Sequence, residues 1–426
     1  MSKYKIKRKV LDDLKDHLNK KEISLITGPR QSGKTTLMEE LERSSSQEGR
    51  KSIWFNLDFE SDKTLFKNQT KLLKEISIKL GESGGLIFID EIQRKENAGL
   101  FLKGIYDHAQ HEGFDYKFIV SGSGSLELKE KIQESLAGRK RVFELPTVSF
   151  KEFVNFKTDY EYEDNLFDFY KLRNDLYSSL LEEYLNFGGY PEVILADSQK
   201  EKQKNIQEIF QSYIDKDIAH ILGLERIDAF NKMLNLLAIN PGKLINYDKL
   251  ASSSDISLPT LKKYLWYAKK TFILRELSPY FKNKKKEIVK SPKMYFFDVG
   301  LISFIAGNFG NVTSWPSSSF IFENIILNML KEKLAWTNNK IRFWRTKGGS
   351  EVDFVVSSKA DTEIIPVEVK FSDIKKPKIG KSLHSFIEKY DPDRTFIVNK
   401  SLDKEIKIKN TKIKFITLAK FIQTDI

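Results

Sequence analysis

The chain contains no cysteine. That excludes a disulfide framework, thiol catalysis and any zinc site built on thiolates. Its 5 histidines stand in no metal-ligand spacing, which argues against a zinc enzyme. Long apolar runs are also missing. None approaches the about 18–20 residues that a membrane-spanning helix needs. The opening stretch, "MSKYKIKRKVLDDLKDHLNKKE", is charged throughout and lacks the apolar core of a secretory signal. These absences predict a cytoplasmic protein with no membrane partner.

What is present fits a folded protein of several domains. A chain of 426 residues is too long for one compact core, so roughly two to four domains are expected. Hydrophobic residues make up 40% and aromatics 12%, which is a globular rather than a disordered composition. Lysine and arginine number 71 against 59 acidic residues, a net charge of +12. Such an excess favours a polyanionic partner, nucleic acid and DNA first. A general bias toward lysine is the alternative.

The strongest motif is "EISLITGPRQSGKTTLMEEL". An apolar strand, Ile23 to Ile26, enters a loop and then a helix with Leu37 and Leu41 on one face. The loop fits G-x-x-x-x-G-K-[ST]: Gly28, then Pro29, Arg30, Gln31 and Ser32, then Gly33, Lys34 and Thr35, with Thr36 behind them. Glycines let backbone N–H groups close around phosphates, and the helix N-terminus adds its positive end. Lys34 is placed for the β- and γ-phosphates of ATP and Thr35 for Mg²⁺. A second apolar run, in "GLIFIDEIQR", ends in Asp90 and Glu91. Asp90 suits the Mg²⁺ shell, and Glu91 suits orienting or deprotonating the attacking water. "SIWFNLD" supplies a strand between these motifs and "YKFIVSGSGS" one after them. That order resembles the AAA-like branch of P-loop proteins, with an added strand between the two motif strands. Ser121 or Ser123 is placed to sense the γ-phosphate, although Ser and Gly after a strand are also ordinary turn residues. In "ESLAGRKRVFELP", Arg139 is a candidate for stabilising transition-state charge, within the chain or from a neighbouring copy in a homo-oligomer. Lys140 and Arg141 are alternatives, and a solvated basic loop is the plain reading.

From about Asp164 to Asn240 apolar residues recur at steps of three and four, so helices are expected, broken at Gly188, Gly189 and Pro191. They are candidates for a lid over the nucleotide. Next, Tyr247 to Ala251 reads as a short helix and Ser252 to Ser257 as a turn. Pro259 then opens a second helix that presents Thr260, Lys262 and Lys263 outward. That is a helix-turn-helix layout. A β-ribbon follows, its tip carrying Lys282, Lys284, Lys285 and Lys286, a wing suited to phosphates. A winged helix used only for protein packing is the alternative.

In "SEVDFVV", a period of two puts Val352, Phe354 and Val356 on one face and Glu351 and Asp353 on the other. In "IPVEVKF", Val367, Val369 and Phe371 oppose Glu368 and Lys370. Paired as a hairpin, the strands bring Asp353, Glu368 and Lys370 together. Two carboxylates can hold Mg²⁺, which activates water, and a lysine can orient the nucleophile. Glu323 heads the apolar stripe Ile326, Leu330 and Leu334 of a helix. Buried there it needs a partner: a metal shared with Asp353 and Glu368, or an arginine such as Arg345.

A helix Glu, a strand Asp and then Glu-x-Lys resembles the PD-(D/E)XK restriction-endonuclease-like superfamily. The whole chain also resembles a prokaryotic family that joins an AAA-type P-loop ATPase to a C-terminal domain of unknown function. The resemblance rests on "GPRQSGKTTL", "IDEIQ", "SGSGSL", "LAGR", "GGYPE", "PKMYFFDVGL", "FEN", "EVDFVV" and "VEVK", spread over residues 22 to 372. It implies an α/β multidomain fold. Residues 1–150 would be an AAA-like P-loop NTPase with a parallel sheet, residues 151–298 a helical lid and winged helix, and residues 299–426 a restriction-endonuclease-like α/β domain. Asp298 belongs to the pattern, with a structural role expected. The leading expectation is an ATPase acting on nucleic acid, with a Mg²⁺-dependent nuclease domain under nucleotide control. A slow ATPase switch with a merely binding C-terminal domain is the alternative, and a ring-forming remodeller of proteins a third.

Overall fold

The structure is a computed structural model that describes residues 6–81, 84–123, 135–214, 227–281, 291–358 and 361–426. The first sheet holds β1 (Ile23–Gly28), β2 (Ser52–Asn56), β3 (Gly85–Asp90), β4 (Tyr116–Ser123) and β5 (Lys140–Glu144). Its order is β2-β3-β4-β1-β5 and every pair is parallel. The added strand β4 thus lies between the two motif strands β1 and β3. Both faces are covered, which is why β1 and β3 read as unbroken apolar runs. Leu72, Ile76, Leu102 and Ile105 of helices Gln69–Leu80 and Ala98–His111 pack on one face. Leu14, Leu37, Met38 and Leu41 of helices Val10–Asp16 and Lys34–Gln47 pack on the other.

The middle of the chain is helical, as its spacing predicts. Helices Tyr247–Ser253 and Leu258–Lys270 start at Asn246 and Ser257, whose side chains accept from Lys249 N–H and Thr260 N–H. Pro259 sits in the first turn of the second, and Lys262 and Lys263 are exposed. A two-stranded antiparallel ribbon follows, β6 (Leu274–Leu277) with β7 (Lys293–Phe296), and Leu244 bridges to Lys293. The wing-tip lysines Lys282, Lys284, Lys285 and Lys286 lie outside the described residues.

The C-terminal sheet comprises β8 (Lys340–Arg345), β9 (Glu351–Ser357), β10 (Ile364–Val369), β11 (Arg394–Asn399), β12 (Lys404–Ile408) and β13 (Thr411–Thr417). Its order is β12-β13-β11-β10-β9-β8. The first three form an antiparallel meander. Helix Lys381–Tyr390 then carries the chain over to β11, which is parallel to β10. Helix Ser318–Lys333 covers one face and Lys381–Tyr390 the other.

Two features depart from the sequence expectation. The period of two breaks within β9. Val352 pairs with Trp344 but Val355 with Arg342, so β9 carries one extra residue there. Val352 therefore joins the core under Lys381–Tyr390, while Phe354 and Val356 join the core under Ser318–Lys333. The second concerns packing across residue 298. One continuous core runs from Val148 to Phe421, through the helical middle, the ribbon and the C-terminal sheet. Asn324 helps weld them: its side chain accepts from Phe296 N–H and donates to Phe296 C=O, both at 2.9 Å.

Candidate functional site

The phosphate loop lies at the C-terminal edge of the first sheet. A Cβ on Gly28 would stand 2.2 Å from the Leu145 carbonyl oxygen, so only glycine lets the loop pass. Gly33 precedes the helix at φ 91°, in the left-handed region glycine tolerates. Gln31 and Glu91 hold φ 56° without being glycine, a cost typical of functional loops. Lys34 is buried and donates to the carbonyls of Gly28 and Pro29 at 3.2 and 2.7 Å. Pro29 is buried within the loop, while Thr35 and Thr36 open the helix on its exposed side.

Three donors converge on Asp90. Thr35 Oγ1 donates to Oδ2 at 2.6 Å, Ser121 Oγ donates to Oδ1, and Glu91 N–H donates to Oδ1 at 3.0 Å. Glu91 follows directly, with the Gln93 amide donating to its carboxylate. Burial, then the neighbouring Asp90, pushes the Glu91 carboxyl above the usual glutamate range, and Lys34 opposes them. The Ser32 hydroxyl is buried with no hydrogen-bond partner among the described residues. Backbone amides, that orphan hydroxyl and Lys34 suit a phosphate chain. Thr35 and Asp90 supply the oxygen ligands that Mg²⁺ takes, so ATP and Mg²⁺ both fit the residues present.

Arg139 does not join this site. Its carbonyl accepts from Ile23 N–H, at the start of β1. The phosphate loop leaves β1 at the other end, about 17 Å away at the rise of an extended strand. In a parallel sheet every residue that precedes a strand sits at the edge opposite the nucleotide. Lys140 and Arg141, which open β5, share that edge. The Arg139 guanidinium instead forks onto Asp107 at 2.6 and 3.2 Å. The arginine that does touch the loop is Arg8. It donates to the carbonyls of Ser32 and Pro146, at 2.9 and 2.6 Å, and to Glu152. Nothing local marks it in the sequence, because all its partners are distant along the chain.

The broken helix pattern at "FGGYPE" reaches the loop as well. Pro191 lies 3.9 Å from where a Gly33 Cβ would stand. Gly189 N–H donates to Asp298 Oδ2 at 2.8 Å. Oδ1 of Asp298 caps helix Val299–Ile305 through Gly300 and Leu301 N–H. Close packing fixes the glycines: a Cβ on Gly188 would meet Asp298 at 2.1 Å, and one on Gly189 would meet the Val148 carbonyl at 2.2 Å. Asp298 is thus a buried structural tie between the Gly188–Pro191 segment and the chain just after the ribbon.

The C-terminal carboxylates form one electrostatic cluster, with Lys293 on its Glu323 and Glu351 side and Lys370 on its Glu368 side. Asp353, at the extra residue of β9, accepts from Val369 N–H at 2.7 Å. Glu368 neighbours it on β10 and binds Lys370 Nζ at 2.7 Å, while its Oε2 is buried without a partner among the described residues. Burial, then Asp353, raises the Glu368 carboxyl to about 7. Glu323 comes from helix Ser318–Lys333. It accepts from the Tyr295 hydroxyl and lies 3.6 Å from Lys293 Nζ. Burial raises it to about 7 as well, against the pull of Lys293. Among the described residues no three acidic side chains stand together as a metal cage. The arrangement expected for one metal shared by Glu323, Asp353 and Glu368 is not seen here, where Lys293 stands beside Glu323 and Lys370 beside Glu368. Arg345 is not its partner either: it pairs with Glu351 at 2.8 Å. The signal for the true partner was "PKMYF", which places Lys293 and Tyr295 two apart on a short apolar strand.

Residues 20–154 match the family described as AAA domain, and residues 178–311 and 318–421 match two domains of unknown function, DUF8612 and DUF4143. An uncharacterized protein of Mycobacterium tuberculosis is 27% identical over 376 residues, covering 87% of this chain and 75% of that protein. One from Methanocaldococcus jannaschii is 24% identical over 421 residues, covering 96% and 86%. Among solved structures, the Aeropyrum pernix ORC1 protein in complex with DNA aligns at 12% identity, covering 70% of this chain and 91% of that one, with a TM-score of 0.31. AMPPCP-bound DnaA from Aquifex aeolicus aligns at 14% identity, covering 61% and 86%, with a TM-score of 0.30. The chain carries an AAA-type P-loop domain, joined to two further domains.

Proposed function

We propose that the protein binds and hydrolyses ATP at the phosphate loop and uses the nucleotide state to act on nucleic acid through its C-terminal half. The observation that carries the first part is the convergence of Thr35, Ser121 and Glu91 on Asp90 beside Lys34. Lys34 would exchange its loop carbonyls for the β- and γ-phosphates. Thr35 and Asp90 would hold Mg²⁺, which when bound offsets charge on those phosphates. Glu91, raised by burial and steadied by Gln93, takes the proton of the attacking water. Ser121 keeps Asp90 in place. Steady-state hydrolysis and nucleotide binding test this together: Glu91→Gln should keep ATP affinity and lose turnover by about 10²–10⁴-fold. Turnover unchanged in that variant would reject Glu91 as the base.

Charge supports the second part. Lys370, Lys375, Lys376, Lys378 and Lys381 leave β10 in one segment against a single acid, Asp373. Lys375, Lys376, Lys378 and Lys381 are exposed and have no ion-pair partner among the described residues. They follow Glu368 and Lys370 closely in the chain and suit a phosphate backbone. The paired helices and ribbon of residues 247–296 support a winged helix. Contact from Pro191 through Gly189 and Asp298 offers a route from nucleotide to ribbon.

A second reading is cleavage. Helix, meander, crossover helix and parallel strand follow the order of a PD-(D/E)XK domain, and Glu368 keeps a buried oxygen unpartnered among the described residues, beside Asp353 and Lys370. Labelled single-stranded, duplex and branched DNA and RNA, offered with Mg²⁺ or Mn²⁺, decide it. Products lost in Asp353→Ala support cleavage, and intact substrates throughout leave binding alone.

A further inference from the structure

The acid cluster already contains a cation. Lys293 opens β7 of the ribbon, and its side chain is only 1% exposed. Its ammonium lies 2.6 Å from Glu351 Oε1 and 3.6 Å from Glu323 Oε1. A buried ammonium persists only where anions compensate its lost hydration. Its position is also fixed from both sides. Lys293 pairs with Leu277 and bridges to Leu244, and Asn324 grips Phe296 on the same strand. The lysine therefore cannot withdraw unless the ribbon shifts against helix Ser318–Lys333. We propose that Lys293 is the resident counter-cation of this cluster and denies Glu323 to divalent metal, so that Asp353 and Glu368 alone face one. The ribbon then sets how many carboxylates a metal can reach. This rests on Asp353 and Glu368 as the metal-facing pair, and on nothing about cleavage.

Mn²⁺ titration of the full-length, nucleotide-free chain tests it, read by electron paramagnetic resonance, with Asp353→Asn defining the site. Glu323→Gln should leave Asp353-dependent affinity unchanged. Lys293→Met should tighten it by about tenfold or more, and adding Glu323→Gln should cancel that gain. A loss of affinity in Glu323→Gln overturns the proposal, because Glu323 would then be a ligand in the native chain. No gain in a folded Lys293→Met, including no Asp353-dependent binding at all, overturns it too. Should Lys293→Met fail to fold, the Glu323→Gln titration on the otherwise native chain decides alone. The cleavage assay is separate: metal gained in Lys293→Met without cut substrate refutes the nuclease reading and leaves this inference standing.

Discussion

At the scale of single residues, the buried carboxylates make pH the sharpest probe. Glu91 must be ionised to accept a proton, and its carboxyl is held above the ordinary glutamate range. ATP turnover should therefore begin to fall, on acidification, at a higher pH than a free glutamate would dictate. A pH–rate profile at saturating ATP checks this. Glu323 and Glu368 act on stability instead. Both rise from 4.5 to about 7 on folding, so the folded state binds protons that the unfolded chain has released. Their contribution is full below about 4.5 and is lost as pH rises through about 7. Thermal melts should show the C-terminal half weakening between those limits, and Glu323→Gln should flatten part of the slope. A slope unaltered by both Glu323→Gln and Glu368→Gln would remove these groups as its source.

At the scale of elements, Asp298 is the test of the tie between lid and ribbon. Asp298→Ala removes a helix cap and strands the buried Gly189 N–H, a loss of about 2–4 kcal/mol. Asp298→Asn keeps an acceptor and should cost less. Urea unfolding ranks the two, and equal stability of all three proteins would deny Asp298 that role. The same elements mark what was legible in the sequence. The strand–loop–helix at Gly28 to Leu41 is written in consecutive residues, so motif and geometry coincide. Helices Tyr247–Ser253 and Leu258–Lys270 announced themselves through Ser257 and Pro259, again locally. Arg139 stands away from its own chain's phosphate loop, because parallel pairing puts any residue before a strand at the far edge, so only the reading from a neighbouring copy stays open for it. The pairing of Lys293 with Glu323 was hidden for another reason. It joins residues 30 apart through a ribbon docked on a helix, and only packing brings them together. The extra residue at Asp353 was hidden too, because alternation of Val352, Phe354 and Val356 looked unbroken.

At the scale of the whole molecule, an exposed basic segment just after β10 predicts salt-dependent binding. If Lys375, Lys376 and Lys378 contact phosphates, replacing all three by alanine should lower the slope of log affinity against log salt by about 3. Fluorescence anisotropy across a salt series measures it, and an unchanged slope would put the contacts elsewhere. The shared core from Val148 to Phe421 packs the helical middle, the ribbon and the C-terminal sheet together. The decisive measurement is ATP turnover by the purified chain at low salt, with and without DNA, alongside Lys34→Ala. The predicted result is hydrolysis that Lys34→Ala abolishes and that DNA changes in the native chain. Hydrolysis surviving in Lys34→Ala, or a native rate indifferent to DNA, would contradict it.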